Sequence, residues 1–305
     1  MTHGRSDRSF TGVRKILEER DLAGRPRQVS PPNTSSRQAG FDAERQETHR
    51  LSSLGRGLMI LRAFDIGDPY LGNAALAERT GLAKATVSRL TQILMKLGYL
   101  HYRDDLGKYE LAPSVLALCH SYLGNMPVPG VARAAMLELA RDEQVNVGLA
   151  IQDDLTMTYV ESALGEPMSG RQRVGLRVPI HLSAMGLACL GGMAAEQRDL
   201  LLREIYQNSS PDEWRAISAR IDEAVAQVHT RGFYLGVGTL GPNTNMLGVP
   251  FYYEAARAMM AFNCGGSSPV QTPDKLLKLG PKLVDLVARV RRDLGTMSAP
   301  YRVRR

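Results

Sequence analysis

The sequence predicts an α+β chain of two domains, in which a small domain of three helices and a hairpin precedes a larger mixed α/β domain. Within residues 51–113, three closely spaced helical segments are followed by a short two-stranded pattern. Beyond residue 131, helical stretches alternate with short strand-like ones without regular βαβ repetition, which favours an antiparallel sheet. The 305 residues are enough for two domains that each bury a core.

The third helical segment, residues 83–97, presents two different faces. One face is apolar and consists of Val87, Leu90, Ile93, Leu94 and Leu97. The other face is small, polar or basic. The preceding segment, residues 73–80, ends at Gly81, which supplies a turn between the two helices. The hairpin is predicted from strands 99–103 and 108–111 around the turn 104–107. This order of elements is that of a winged helix-turn-helix.

The chemistry of a helix-turn-helix depends on the second helix. A major groove about 12 Å wide admits one α-helix, so that helix must present small and polar side chains to the base edges. We expect contacts with duplex DNA from its polar face and from the hairpin, namely from Lys84, Ala85, Thr86, Ser88, Arg89, Gln92, Arg103 and Lys108. Arg89 suits a guanine or a phosphate, Lys84 suits the phosphate backbone, and the hairpin cations suit the adjacent minor groove. A solvated helix beside an ordinary hairpin is the alternative interpretation of the same pattern.

The net charge of +7 is unevenly distributed along the chain. Residues 1–50 contribute +3, residues 51–113 contribute +2 and residues 296–305 contribute +3, whereas residues 114–295 contribute −1. A basic N-terminal third suits polyanion binding, because phosphate contacts dominate nucleic-acid affinity.

Composition excludes several other classes of protein. No apolar run approaches the ~18 residues of a membrane span, and the first residues lack the apolar core of a secretory signal, so we expect a cytoplasmic protein with no membrane partner. The cysteines Cys119, Cys189 and Cys264 are widely spaced, without the clustering that metal sites or disulfide frameworks require. We therefore expect reduced thiols, no metal and no cofactor.

The remaining segments complete the predicted domain organisation. Residues 1–50 are rich in Pro, Ser, Gly and Arg in their second half and are predicted to form a disordered basic arm. Residues 51–113 form the DNA-binding domain, residues 114–130 a linker helix and connection, residues 131–295 the second domain, and residues 296–305 a basic tail.

Residues 51–113 resemble the winged-helix domain of the IclR family of transcriptional regulators. The stretches that carry this resemblance are 53–61, 76–82, 84–90, 98–100 and 109–111. The resemblance resumes at residues 174–186, which are similar to that family's effector-domain signature, and it covers about 51–295. It implies a GAF-like effector-binding domain, a homodimer or homotetramer, and binding to a palindromic promoter operator.

The resemblance also implies where a small-molecule effector binds. Carried over by position, the effector site consists of Ser183, Ala184, Met185, Gly236, Met246, Asn263 and Gly265. The acidic residues usual after the Arg-Gly-aromatic element are replaced here by the uncharged residues 234–238. We therefore expect a larger or aromatic acid rather than a small keto acid as the effector, for a ligand-responsive, sequence-specific regulator of a catabolic operon. Plain core packing is the alternative role for these residues.

Other motifs point to rival functions and are weaker. Residues 236–241 match GxGxxG after a strand-like stretch, but Pro242 follows where a helix should begin. His181 near Ser183 suggests a hydrolase without its GxSxG elbow, and Cys264 before two glycines suits a strand end better than a nucleophile. The main alternative is an enzyme whose α/β catalytic domain is capped by N-terminal helices. A second alternative is a DNA-binding protein that senses nothing.

Overall fold

The computed structural model describes residues 52–65, 67–165 and 174–297. The described residues fall into two compact units that divide between Asn125 and Met126. The predicted arm, residues 1–50, and all but the first two residues of the predicted tail lie outside the described residues. None of the helices in the described ranges is both long and apolar enough to cross a membrane.

The first unit has the predicted order of helices and hairpin. Its elements are α1 (Ser53–Arg62), α2 (Asn73–Thr80), α3 (Lys84–Lys96), β1 (Leu100–Arg103), β2 (Lys108–Leu111) and α4 (Ser114–Gly124). Gly81 ends α2 with a φ of 67°, a left-handed conformation that glycine adopts without steric cost. The strands β1 and β2 pair antiparallel, with Arg103 opposite Lys108.

The buried core of this unit contains fewer residues than the apolar faces that were predicted from the sequence. Val87, Leu90 and Leu94 of α3 are buried as predicted, whereas Ile93 and Leu97 are 41% and 61% exposed. The adjacent helices and hairpin cover only one stripe of α3. Within that stripe Thr91 is fully buried, and its hydroxyl donates to the Ser88 carbonyl at 3.0 Å.

The second unit contains a mixed set of helices and strands. The elements are α5 (Pro127–Glu143), β3 (Asn146–Asp153), β4 (Thr156–Ala163), β5 (Arg177–Pro179), α6 (Ala184–Gly192), α7 (Ala195–Gln207), α8 (Pro211–Arg231), β6 (Tyr234–Val237), β7 (Thr244–Tyr253), β8 (Ala258–Ser267) and α9 (Pro273–Met297). Within the described residues the strands form one six-stranded sheet in the order β5-β4-β3-β8-β7-β6. Every neighbouring pair is antiparallel, as the sequence predicted.

Helices cover both faces of this sheet. Ala150 of β3 and Ala261 of β8 belong to a buried cluster with α6, α7 and α8 on one face. On the other face, Phe251 and Phe262 pack edge to face at 5.8 Å between ring centroids, and Arg291 of α9 lies over the Phe251 ring. Because both faces are covered, the inner strands β3, β7 and β8 contain continuous buried runs, whereas β4 nearer the edge keeps an alternation of polar and apolar residues.

We predict opposite effects for two glycine substitutions in α9. Gly280 is buried, and a Cβ added there would overlap the Phe233 ring, whereas nothing lies within 4 Å of a Cβ added at exposed Gly295. Gly280→Ala should lower the free energy of unfolding by about 1–3 kcal/mol through overpacking. Gly295→Ala should raise it by about 0.5–1 kcal/mol, because alanine favours a helix over glycine. Urea unfolding of the full chain measures both, and equal effects would contradict the packing of α9 on Phe233.

Candidate nucleic-acid interface and ligand cavity

The outer face of α3 has the composition that the sequence predicted for a DNA-reading surface. Lys84, Ala85, Arg89 and Gln92 are exposed, while Thr86 and Ser88 are half-buried beside them. The helix contains no acidic residue. Within the described residues, neither Lys84 nor Arg89 forms an ion pair, so both cations are available to a polyanion.

The N-terminus of α3 adds donors that the sequence reasoning missed. The N-cap residue is Ala83, which has no side-chain acceptor for the N–H groups of the first turn. The amides of Thr86 and Val87 donate to the Ala83 carbonyl, at 2.9 and 3.0 Å. The preceding amides, those of Lys84 and Ala85, have no partner within the helix and suit a phosphate oxygen. An alanine in place of the usual Ser, Thr, Asp or Asn was the available signal.

The two hairpin cations predicted to contact DNA, Arg103 and Lys108, differ in whether they form an ion pair. The Arg103 guanidinium donates to both Asp105 carboxylate oxygens, at 3.0 and 2.9 Å, and lies 5.6 Å from the centroid of the Tyr70 ring. The hydrogen bond and charge of Asp105 raise the pKa of Arg103, and the same hydrogen bond lowers the pKa of Asp105. Arg103 therefore braces the wing. Lys108, directly opposite, is exposed and forms no ion pair in the described part of the chain.

A cavity of about 450 Å³ opens in the second unit, between the start of α6 and the adjoining strands. Its described lining consists of Asn146, Tyr159, Leu176, Val178, Ser183, Ala184, Leu240, Gly241, Pro242, Asn243, Thr244, Met246, Asn263, Gly266 and Ser267. None of these residues carries a charge. The volume lies within the range of about 300–1,000 Å³ of small-molecule sites.

The residues predicted for the effector site divide into two groups. Ser183, Ala184, Met246 and Asn263 line the cavity. The other three lie behind its wall. Met185 is buried in the core of α6, and a Cβ on Gly236 would come within 3.0 Å of the Ala184 Cβ. A Cβ on Gly265 would come within 2.8 Å of the Met246 Sδ. Met185, Gly236 and Gly265 thus shape the wall from behind.

A buried pair of polar side chains forms one end of the cavity. The Asn263 amide donates to the Tyr159 hydroxyl at 2.8 Å, and both side chains are almost completely buried. Burial raises the pKa of Tyr159, so the phenol stays neutral and keeps a proton to donate. The Asn263 Oδ1 has no hydrogen-bond partner within the described residues. The pair therefore leaves the hydroxyl proton of Tyr159 and the Oδ1 of Asn263 without a described partner beside the cavity.

The Tyr159–Asn263 pair requires a glycine in the neighbouring strand β3. Gly148 of β3 lies directly opposite Asn263 of β8. A Cβ at this position would be 2.5 Å from both the Asn263 Oδ1 and the Tyr159 ring. A glycine inside a strand marks such a close approach.

The N-terminus of α6 forms a second polar region. Ser183 is the N-cap, and its hydroxyl accepts from the Gly186 amide at 3.2 Å. The amides of Ala184 and Met185 in the first turn have no intrahelical partner. These donors and the helix dipole favour an anionic group without supplying a formal charge.

Several lining residues were not predicted from the sequence. They are Asn146, Tyr159, Leu176, Val178, Gly266, Ser267 and residues 240–244. The signal available for Asn146 was a polar residue at the start of a strand that continues as an uncharged, mostly apolar run, whereas the polar strand around Tyr159 gave no such signal. Residues 240–244 overlap the end of the GxGxxG stretch, which runs from β6 toward its antiparallel neighbour β7 and does not begin a helix. Cys264 is fully buried, and its burial raises its pKa, so it is a packed thiol.

Comparisons with known proteins agree with this architecture. The family model described as the IclR helix-turn-helix domain matches residues 53–104, and that of the bacterial transcriptional regulator IclR C-terminal matches residues 120–289. The HTH-type transcriptional regulator TsaQ1/TsaQ2 of Comamonas testosteroni is 29% identical over 260 residues, covering 83% of this chain and 92% of that protein.

Solved structures give the same result. An IclR family transcriptional regulator from Brucella abortus is 31% identical with a TM-score of 0.70, over 88% of this chain and 96% of that chain. An IclR homolog from Microbacterium hydrocarbonoxydans, complexed with 4-hydroxybenzoate, is 19% identical with a TM-score of 0.62, over 79% of this chain and 100% of that chain, and shows the fold alone. The chain therefore belongs to the IclR family of transcriptional regulators, with a winged helix-turn-helix followed by a GAF-like α/β effector-binding domain.

Proposed function

We propose that this regulator controls a catabolic operon in response to a small aromatic acid that binds in the cavity at the start of α6. The observation that carries the proposal is the lack of charge among the described lining residues, with the first turn of α6 supplying one polar region and the Tyr159–Asn263 pair supplying another. The protein acts on its operator in the cytoplasm and has no catalytic activity. In the absence of the acid it recognises the same operator with a different affinity.

The chemistry of the lining supports an aromatic acid. The carboxylate accepts from the amides of Ala184 and Met185, and the ring lies against Leu176, Val178 and Met246. A ring hydroxyl would accept from Tyr159 and donate to the Asn263 Oδ1. A small keto acid would leave most of the apolar wall without contact. The 4-hydroxybenzoate found in the IclR homolog described above has this combination of groups.

On the DNA side, α3 enters the major groove with the face that begins at Lys84. Arg89 contacts a base edge, while the free amides at the start of α3 and Lys84 bind phosphate. Lys108 contacts the backbone beside the wing, and Arg103 holds the wing in shape through Asp105.

We propose that the protein acts as a homodimer or homotetramer on a palindromic operator. Two copies of the helix-turn-helix are needed to read two half-sites of such an operator. Large apolar side chains stand exposed on α1 and α4 in the first unit, namely Leu54, Leu58, Leu116, Leu118 and Tyr122. Exposed apolar surface of this kind marks protein–protein contacts, so these helices suit an interface between copies.

We predict that Arg89→Ala weakens binding to the operator by roughly 1–3 kcal/mol, because a bidentate contact with a base is lost. Lys96→Ala is the matched control, since Lys96 is an exposed cation at the C-terminal end of the same helix. Fragments retained by the purified protein identify the operator, and titrations against operator and scrambled duplexes measure discrimination. Unchanged discrimination in Arg89→Ala would remove Arg89 from the reading surface.

We predict that Tyr159→Phe lowers the affinity for 4-hydroxybenzoate about 5- to 30-fold, because the ring hydroxyl of the ligand loses the Tyr159 hydroxyl as its donor. Tyr252→Phe is the control, since Tyr252 is half-buried and does not line the cavity. Calorimetric titration of both variants with a panel of benzoates measures the effect. Equal affinities in the two variants would place the acid elsewhere.

A further inference from the structure

A second cavity, of about 330 Å³, lies on the opposite side of the segment that leads into α6. Its described lining consists of Leu155, His181, Leu182, Ile205, Asn208, Ser209, Glu213, Ala216, Ile217 and Arg220. None of these residues lines the cavity described above. Within the segment, His181 and Leu182 face the second cavity, while Ser183 and Ala184 face the first.

The polar part of this second cavity contains His181 and Arg220. Within the described residues, the buried His181 Nδ1 has no hydrogen-bond partner and Arg220 has no ion-pair partner. Buried donors and acceptors are satisfied in nearly all native proteins, so an unsatisfied imidazole at a cavity wall points to a missing partner.

The described lining contains one carboxylate, that of Glu213, which is hydrogen-bonded to Ser210 at the start of α8. Glu213 accepts from the Ser210 amide at 2.8 Å and from the Ser210 hydroxyl at 2.7 Å, which completes the capping box of α8. These hydrogen bonds lower the pKa of Glu213, which stays ionised. The titratable groups in the described lining are His181, Glu213 and Arg220. Of these, His181 and Arg220 are therefore available to bind an anion.

Two further polar residues line the cavity, Asn208 and Ser209, and their side chains donate to the Glu204 and Ile205 carbonyls; the other lining residues are apolar. Leu155, Leu182, Ile205 and Ile217 supply hydrocarbon surface on the turn and on the two helices that enclose the cavity. The backbone holds this wall in place, because the Ile180 amide donates to the Leu155 carbonyl at 2.9 Å. A cationic end with an apolar body selects an organic anion over an inorganic one.

We propose that this cavity is a second ligand site, which binds a small organic carboxylate between Arg220 and His181 with its hydrocarbon part against Leu155, Ile205 and Ile217. Arg220 supplies the charge, and His181 supplies a hydrogen bond. Burial and the charge of Arg220 lower the pKa of His181, so the imidazole is mostly neutral at neutral pH before the anion binds. A bound carboxylate stabilises the imidazolium, and binding therefore takes up a proton.

The test uses the full chain with isotopically labelled histidine and hexanoate as the probe. The chain has six histidines, and the spectrum of His181→Gln assigns the His181 resonance. We expect a saturable shift of that resonance and a rise in the pKa of His181. Because the bound state holds more protons, hexanoate should bind more tightly at about pH 6 than at about pH 8.

Charge variants on α8 test the site itself. Arg220→Gln should weaken hexanoate binding about tenfold or more, since a charge-assisted hydrogen bond is lost. Arg220→Lys retains the charge and should lose less. Arg215→Gln is the matched control, because Arg215 lies on the same helix but pairs with Asp212 outside the cavity. Thermal unfolding of each variant verifies that it is folded.

Three outcomes would overturn the proposal. The first is a His181 resonance that does not move with millimolar hexanoate. The second is an equal loss of affinity in Arg215→Gln and Arg220→Gln, which would indicate a general charge effect. The third is loss of the His181 shift once 4-hydroxybenzoate saturates the first cavity, which would mean that hexanoate acts from the first cavity. Because Tyr159→Phe tests the first cavity separately, failure at one site leaves the other proposal standing.

Discussion

The close approach of α6 to the sheet is the constraint on which the ligand cavity depends. A Cβ on Gly248 of β7 would overlap the Ala184 carbonyl and come within 2.9 Å of the Ala188 Cβ. A Cβ on Gly192, at the other end of α6, would come within 2.6 Å of the Pro250 ring. Glycine on either side lets the helix backbone settle directly onto the strands. The amides at the start of α6 are therefore held at a fixed depth, beside the polar end of the cavity.

A glycine also allows the close packing of the Tyr159–Asn263 pair. Gly148 leaves the space in which the tyrosine ring and the amide meet. Two neutral groups are thus buried together, and the Asn263 Oδ1 acceptor has no partner among the described residues, which is energetically unfavourable. A ligand with a hydroxyl donor relieves that cost. Selectivity in such a site comes from matching donors and acceptors more than from charge.

Much of the fold could be predicted from the sequence because its signals are local. The helix-turn-helix follows from Gly81 and from the two faces of α3, and the inner strands follow from their apolar runs. The edge strand β5 is three residues long and too short to show a pattern, and β6 was visible only as a strand-like stretch before the GxGxxG motif. The exposure of Leu54 and Leu58 could not be predicted, because helical spacing does not say which apolar stripe the neighbouring elements cover.

The sites were harder to predict, because they depend on which distant segments meet. Ser183 and Asn263 were placed by resemblance and do line the cavity, whereas Met185 lies behind its wall. Tyr159 was not predicted, because its role depends on β4 lying two strands from β8 in the sheet. No local sequence pattern encodes this strand order. That Arg103 contacts DNA stays a prediction; the sequence pattern did not show that its guanidinium also donates to the Asp105 carboxylate within the wing.

The described lining of the first cavity is uncharged, and this affects how ligand binding and DNA binding respond to ionic strength. Dipoles and hydrogen bonds in a buried site are little screened by salt, so the affinity for the acid should be nearly constant across physiological salt concentrations. Operator binding through exposed lysine and arginine weakens steeply over the same range, because counterions released from DNA are regained. In such a protein a change in cellular ionic strength alters occupancy of the promoter while leaving the sensing of the acid intact.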